Sequence, residues 1–121
     1  MKELALIIED DEDLSEIFGQ ALTAANYDIE IIRDGAVAQE RLKEILPVVV
    51  ILDMHIPHIP GNVLLNQIQA DERLAATRVV VATADAQMGE GLRKDATLVL
   101  IKPISFVQLR DLTSRLHQLK A

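Results

Sequence analysis

Cysteine and tryptophan are both absent from this sequence, and Phe18, Phe106 and Tyr27 are its only aromatic residues. Without cysteine there is no disulfide, no thiolate zinc site and no cysteine nucleophile. So few rings argue against a surface that stacks on bases or sugars. Cations are outnumbered, 12 Lys and Arg against 19 Asp and Glu, for a net charge of −7. That balance disfavours direct contact with nucleic acid or an anionic membrane. Long apolar runs are missing too: nothing approaches the ~20 residues needed to span a bilayer. Met1-Lys2-Glu3 leads into only a short apolar run, too little for a signal peptide. A soluble, cytoplasmic chain is expected.

What is present is aliphatic. Apolar residues make up 50% of 121 positions, enough for one domain over residues 1–121 with its own core. The most informative stretch runs from Val48 to Gly61. Five consecutive aliphatic residues, Val48 to Leu52, read as a strand buried on both faces of a parallel sheet. The strand stops at Asp53, and Pro57, Pro60 and Gly61 then punctuate a loop. Asp53 either ends its strand by bonding its own turn or stands where open α/β sheets bind ligands.

Other segments repeat the pattern. Leu4 to Ile8 is an apolar run followed by five acidic residues, Glu9 to Asp13. Asp13 with Glu16 resembles a capping box, and acidic residues suit a helix N-terminus. Glu9 and Asp10 sit too early for that explanation. Leu14, Ile17, Phe18, Ala21, Leu22 and Ala25 then trace a helix, with Asn26 a left-handed stop. Asp28 to Ile32 is a more polar strand, expected at an edge. Asp34-Gly35 opens a second helix to about Ile45, with Ala38, Leu42 and Ile45 inward. Leu64, Leu65 and Ile68 mark a third, extending toward Leu74. Arg78 to Ala82 is a strand ending on Thr83. Gly89 and Gly91 leave only a short helix between Asp85 and Asp95. Thr97 to Ile101 is the fifth strand, ending on Lys102-Pro103. Ser105 and Gln108 cap a last helix lined by Phe106, Leu109, Leu112, Leu116 and Leu119.

Alternating strands and helices give (βα)5. The expected fold is α/β: a doubly wound, flavodoxin-like parallel sheet in the order 2-1-3-4-5. Glu9, Asp10 and Asp53 then meet at the switch point, with Thr83 and Lys102 on the same edge. Carboxylates at about 4 Å repel by about 4 kcal/mol per pair at an effective dielectric near 20. A hard divalent cation relieves that, and an all-oxygen site suits magnesium. Carboxylate, cation, Lys and Thr are the parts for moving a phosphoryl group onto Asp53.

At these residues the chain resembles the receiver domain of two-component response regulators. The acidic pair, Asp53 with Pro57 and Gly61 beyond it, Thr83-Ala84 and Lys102-Pro103 all carry the resemblance. It implies that Asp53 accepts phosphate from a histidine kinase or histidine phosphotransfer protein. It implies magnesium held by Asp10, Asp53 and the His55 carbonyl, with Glu9 acting mainly through a metal-bound water. Thr83 and Lys102 would contact the phosphoryl oxygens, and Lys102-Pro103 would be cis. The implied role is a phosphorelay switch that changes partner binding, not an enzyme.

Two positions depart from the family. Val99 stands where an aromatic is usual, and the stretch from Thr83 to Lys102 is short. They keep open a second reading, a receiver-fold binding module independent of phosphorylation. A magnesium-dependent phosphatase is a third, although His55 occupies the position where that class carries its general acid. The remaining groups read plainly: His55 and His58 lack a cysteine to complete a zinc site, Arg93-Lys94 is a solvated patch, and His117 lies on a surface helix.

Overall fold

The computed structural model describes residues 2–117. Its elements, in order, are β1 (Glu3–Ile8), α1 (Glu12–Ala24), β2 (Tyr27–Ile32), α2 (Gly35–Arg41), β3 (Val49–Asp53) and α3 (Gly61–Ala70). A 3-10 turn follows at Glu72–Leu74, then β4 (Arg78–Thr83), α4 (Ala86–Gly91), β5 (Leu98–Ile101) and α5 (Phe106–Leu116). The strands form one parallel sheet in the order β2-β1-β3-β4-β5, as the alternation requires. The polar strand β2 is at the edge. Its Glu30 carboxylate accepts from Arg41 Nε at 2.7 Å, so its polarity is satisfied beside the core.

Each strand sends alternate side chains to opposite faces, and the two faces build two cores. Leu6, Ile8, Val50, Leu52, Val79 and Val81 pack with Leu42, Leu64, Leu65 and Ile68, under α2 and α3. Ala5, Ile7, Val49, Ile51, Val80 and Ala82 pack with Phe18, Leu22, Leu109 and Leu116, under α1 and α5. Every residue of β3 is buried. Truncating one of these leucines to alanine removes about 2–5 kcal/mol, so both faces of the sheet are committed.

The local readings shift in several places. Asp11, not Asp13, caps α1: its side chain accepts from the Leu14 N–H at 2.9 Å. Asp13 already lies in the first turn, where its charge faces the helix dipole. Ile17 turns outward at 38% exposure, since Ser15 and Gly19 take the buried stripe beside Phe18. The second helix ends at Arg41, although Leu42 and Ile45 stay buried in the turn beyond it. The third stops at Ala70 because Asp71 leaves helical geometry to cap the 3-10 turn. Asn26 has φ 75°, as a left-handed stop should.

His117 is the clearest correction. Its ring stacks on Tyr27 at 4.2 Å, with one nitrogen 3.0 Å from Glu3 Oε1 and the other 2.9 Å from the Ala25 carbonyl. A helix-surface pattern could not show a contact with β1 and β2. Leu119 falls outside the described residues. Among those described, no helix is long and apolar enough to cross a membrane.

Candidate functional site

Four strand ends deliver side chains to the carboxyl edge of the sheet. Glu9 follows β1, and its backbone N–H donates to the Ile32 carbonyl at 3.1 Å, extending the ladder by one residue. Asp53 closes β3 in register with Ala82 of β4. Thr83 closes β4. The Lys102 N–H donates to the Thr83 carbonyl at 2.8 Å, so the chain leaving β5 stays tied to β4. The Lys102-Pro103 peptide is cis.

The lysine reaches across the edge. Lys102 Nζ donates to Glu9 Oε1 at 2.7 Å and lies 3.6 Å from Asp53 Oδ2. Burial alone would lower its pKa, but the two carboxylates more than reverse that and leave it raised. Glu9 is 1% exposed. Burial, with Asp53 close by, pushes its carboxyl up to about 7 against the pull of Lys102. Glu9 Oε2 accepts from the Asp11 N–H at 3.2 Å, so both its oxygens are engaged. Asp53 is 4% exposed, and its Oδ1 accepts from the His55 N–H at 3.1 Å. Thr83 is fully buried; its Oγ1 accepts from the Asp85 N–H at 3.1 Å, which leaves its own O–H to donate.

Asp10 is exposed at the mouth of this group. Glu9, Asp10 and Asp53 each offer a carboxylate oxygen, and these lie within 4.8 Å of one another. Oxygen-only donors at that spacing fit a hard cation such as magnesium and suit zinc poorly. His55 and Ala84 are both exposed at the rim.

The strand-end residues therefore converge as their positions imply. What sequence reasoning missed is the pairing: Lys102 meets Glu9 more closely than Asp53. No sequence signal carries it, because both carboxylates follow parallel strands of the same sheet. His55 and His58 form no zinc pair, as the missing cysteine implies: His58 Nδ1 pairs with Asp34 Oδ2. A cavity of about 650 Å³ lies at the opposite edge, lined by Glu3, Tyr27, Thr77, Arg78 and Thr97, away from all of these groups.

Fold and site together define a flavodoxin-like α/β protein with an acidic, lysine-bridged pocket at its switch point. Residues 5–114 match the model of the response regulator receiver domain, and the chain belongs to that family of two-component signalling. Among relatives, it is 31% identical over 118 residues to the probable methanogenesis regulatory protein FilR2 of Methanothrix harundinacea. That match covers 88% of this chain and 76% of the relative. It is 29% identical over 107 residues to the DNA-binding dual master transcriptional regulator RpaA of Synechocystis, covering 86% of this chain but 44% of RpaA. Two solved structures share the fold. The chemotaxis response regulator CheY4 of Vibrio cholerae has TM-score 0.83 at 21% identity, covering 96% of this chain and 99% of that one. A CheY-like receiver domain from Methylobacillus flagellatus has TM-score 0.84 at 20% identity, with 96% and 99% covered.

Proposed function

We propose that this chain is a phosphoaccepting switch over residues 1–121, taking a phosphoryl group onto Asp53 in a magnesium-dependent reaction. One observation carries the reading. Lys102 Nζ stands 2.7 Å from Glu9 Oε1 and 3.6 Å from Asp53 Oδ2, on the edge where Thr83 keeps a free O–H. An acidic pocket that held only a metal would have no use for a half-buried cation and a buried hydroxyl donor.

In the forward step an Asp53 carboxylate oxygen attacks phosphorus, forming a P–O bond. The bond to the donor breaks and its electron pair leaves with the donor, an imidazole nitrogen or an acetate oxygen. Lys102 and Thr83 meet the phosphoryl oxygens and spread their charge. Asp10, Asp53 and the His55 carbonyl would hold magnesium, with Glu9 acting through a water and kept in place by Lys102. Bound there, the ion supplies positive charge that lets an anionic donor approach three carboxylates. The donor is a histidine kinase or histidine phosphotransfer protein in the cytoplasm, and the modified form acts by changing which protein it binds. The chain spans less than half of RpaA, whose DNA binding belongs to that protein. A net charge of −7 argues against direct nucleic-acid contact here.

The test is intact-mass spectrometry after incubation with acetyl phosphate. One phosphoryl group should be added with magnesium, and none in Asp53→Asn or without the metal. Full modification of the Asn variant would sink the assignment. Multiple turnover on a small phosphate ester would favour the phosphatase.

A further inference from the structure

The loop from Met54 to Pro60 is fastened to a neighbour that phosphoryl transfer does not use. The Ile59 N–H donates to the Pro57 carbonyl at 2.9 Å, around His58, whose φ is 73°. A bond of that span across a positive φ makes a γ-turn of the rare, strained kind. Such backbone persists where its surroundings over-determine it. Here the surroundings are the junction between β2 and α2. The same Pro57 carbonyl accepts a second N–H, from Gly35 at 2.9 Å. His58 Nδ1 pairs with Asp34 Oδ2, while Asp34 Oδ1 accepts from the N–H groups of Ala36 and Val37 at 2.8 and 3.1 Å.

Gly35 allows no side chain. A Cβ there would lie 2.3 Å from the Ile59 carbonyl oxygen and 2.8 Å from its nitrogen, both backbone atoms that cannot swing aside. The loop's other end is equally close: a Cβ on Gly61 would stand 2.5 Å from the Asp53 carbonyl oxygen. Between these anchors Met54 and Ile56 are buried. His55 is therefore left little freedom, and its N–H is the group that holds Asp53 Oδ1.

We propose that Asp34, Gly35 and His58 are positioning residues for the acceptor. The γ-turn seated on the β2–α2 junction fixes the loop that aims the Asp53 carboxylate and presents the His55 carbonyl to magnesium. The proposal rests on the phosphoacceptor reading above and adds residues that reading leaves idle.

Gly35→Ala must push the Ile59 backbone away. Magnesium affinity, measured by calorimetric titration with magnesium chloride, should fall about tenfold, as when outer supports of a metal site are removed. Acetyl phosphate labelling should slow at limiting magnesium and recover at saturation. Asp34→Ser keeps a capping oxygen but cannot reach His58. His58→Gly keeps the positive φ without steric cost and removes the ring. Both should weaken magnesium binding by less than Gly35→Ala, speed amide exchange across residues 54 to 60, and leave helical circular dichroism unchanged. Wild-type affinity and exchange in both variants overturn the proposal, whether or not Gly35→Ala folds. If the wild-type chain takes up neither magnesium nor phosphate, the phosphoacceptor reading is what has failed. The exchange experiment then decides the junction alone: faster exchange in both variants supports it, unchanged exchange overturns it.

Discussion

The two halves of the sheet's carboxyl edge are held by different forces. On the β1–β3 side, three carboxylates crowd within 4.8 Å and Lys102 bridges two of them. On the β4–β5 side, α4 rests on hydrocarbon. A Cβ on its buried Gly89 would lie 2.9 Å from Ile101 Cδ1, 3.0 Å from Val99 Cγ1 and 3.3 Å from Thr83 Cγ2. Thr83 belongs to both halves: its hydroxyl accepts from Asp85, the cap of α4, and its methyl faces Gly89. Charge acts across several ångströms, whereas a methyl acts only on what it touches. The first half is therefore sensitive to a change in charge, the second to a change in fit.

The largest effect is expected at Lys102. Lys102→Met leaves Glu9 and Asp53 without the ammonium between them. In metal-free buffer at about pH 8, urea unfolding should show a loss of about 3 kcal/mol, the scale for stripping a partner from a buried ion pair. At about pH 5.5 the loss should shrink, because Glu9, with its carboxyl pushed up to about 7, is then protonated. The sign for the wild type follows the same logic. The folded value exceeds the ordinary 4.5, so the folded state binds the extra proton. Glu9's contribution to stability is full below about 4.5 and is lost as pH rises toward about 7. Equal losses in Lys102→Met at both pH values would mean the lysine acts by packing.

Magnesium sharpens the same half. At a hundredfold excess over its dissociation constant it should add about 2.7 kcal/mol, read as a rise in Tm. Asp10→Ala should remove most of that gain. Binding should also tighten between about pH 6 and about pH 8, because the ion displaces the Glu9 proton. A Tm indifferent to magnesium would dissolve the metal site.

The smallest effects belong to the apolar half. Gly89→Ala should cost about 1 kcal/mol net, overpacking against Val99 and Ile101 partly offset by better helix propensity. Val99→Ala should recover part of that loss in a double-mutant cycle, and phosphoryl uptake should stay normal in both. Beryllofluoride with magnesium should raise amide protection across residues 84 to 96 and change little along 98 to 101. Val99 has no ring to swing, and its χ1 is stiff. Protection redistributed around Val99 and α5 instead would show that this half also switches through β5.

How legible each half was follows from the same difference. Asp53 after five aliphatic residues, and Thr83 and Lys102 after their own runs, are local signals, and the parallel order carries them to one edge. Gly89 reads in sequence as a helix breaker, yet it is the surface on which Thr83 and Val99 pack. Gly35 likewise reads as the opening of a helix, while its role is to admit the Ile59 backbone. A missing side chain leaves no trace of what fills its place.

By itself the sequence determined the alternation of strand and helix, the parallel sheet with β2 at its edge, and the gathering of Glu9, Asp10, Asp53, Thr83 and Lys102 at one end. Those follow from periods of 2 and 3.6 residues and from punctuation by Pro, Gly and Asp. Tertiary structure alone decided that Lys102 bonds Glu9, 93 positions away, and that His58 pairs with Asp34 across 24. It also decided that His117 stacks on Tyr27 at the start of β2 and does not face solvent alone. Such pairings depend on where the packed sheet and helices leave each strand end and loop, a placement set by the whole interior and by no short stretch of sequence.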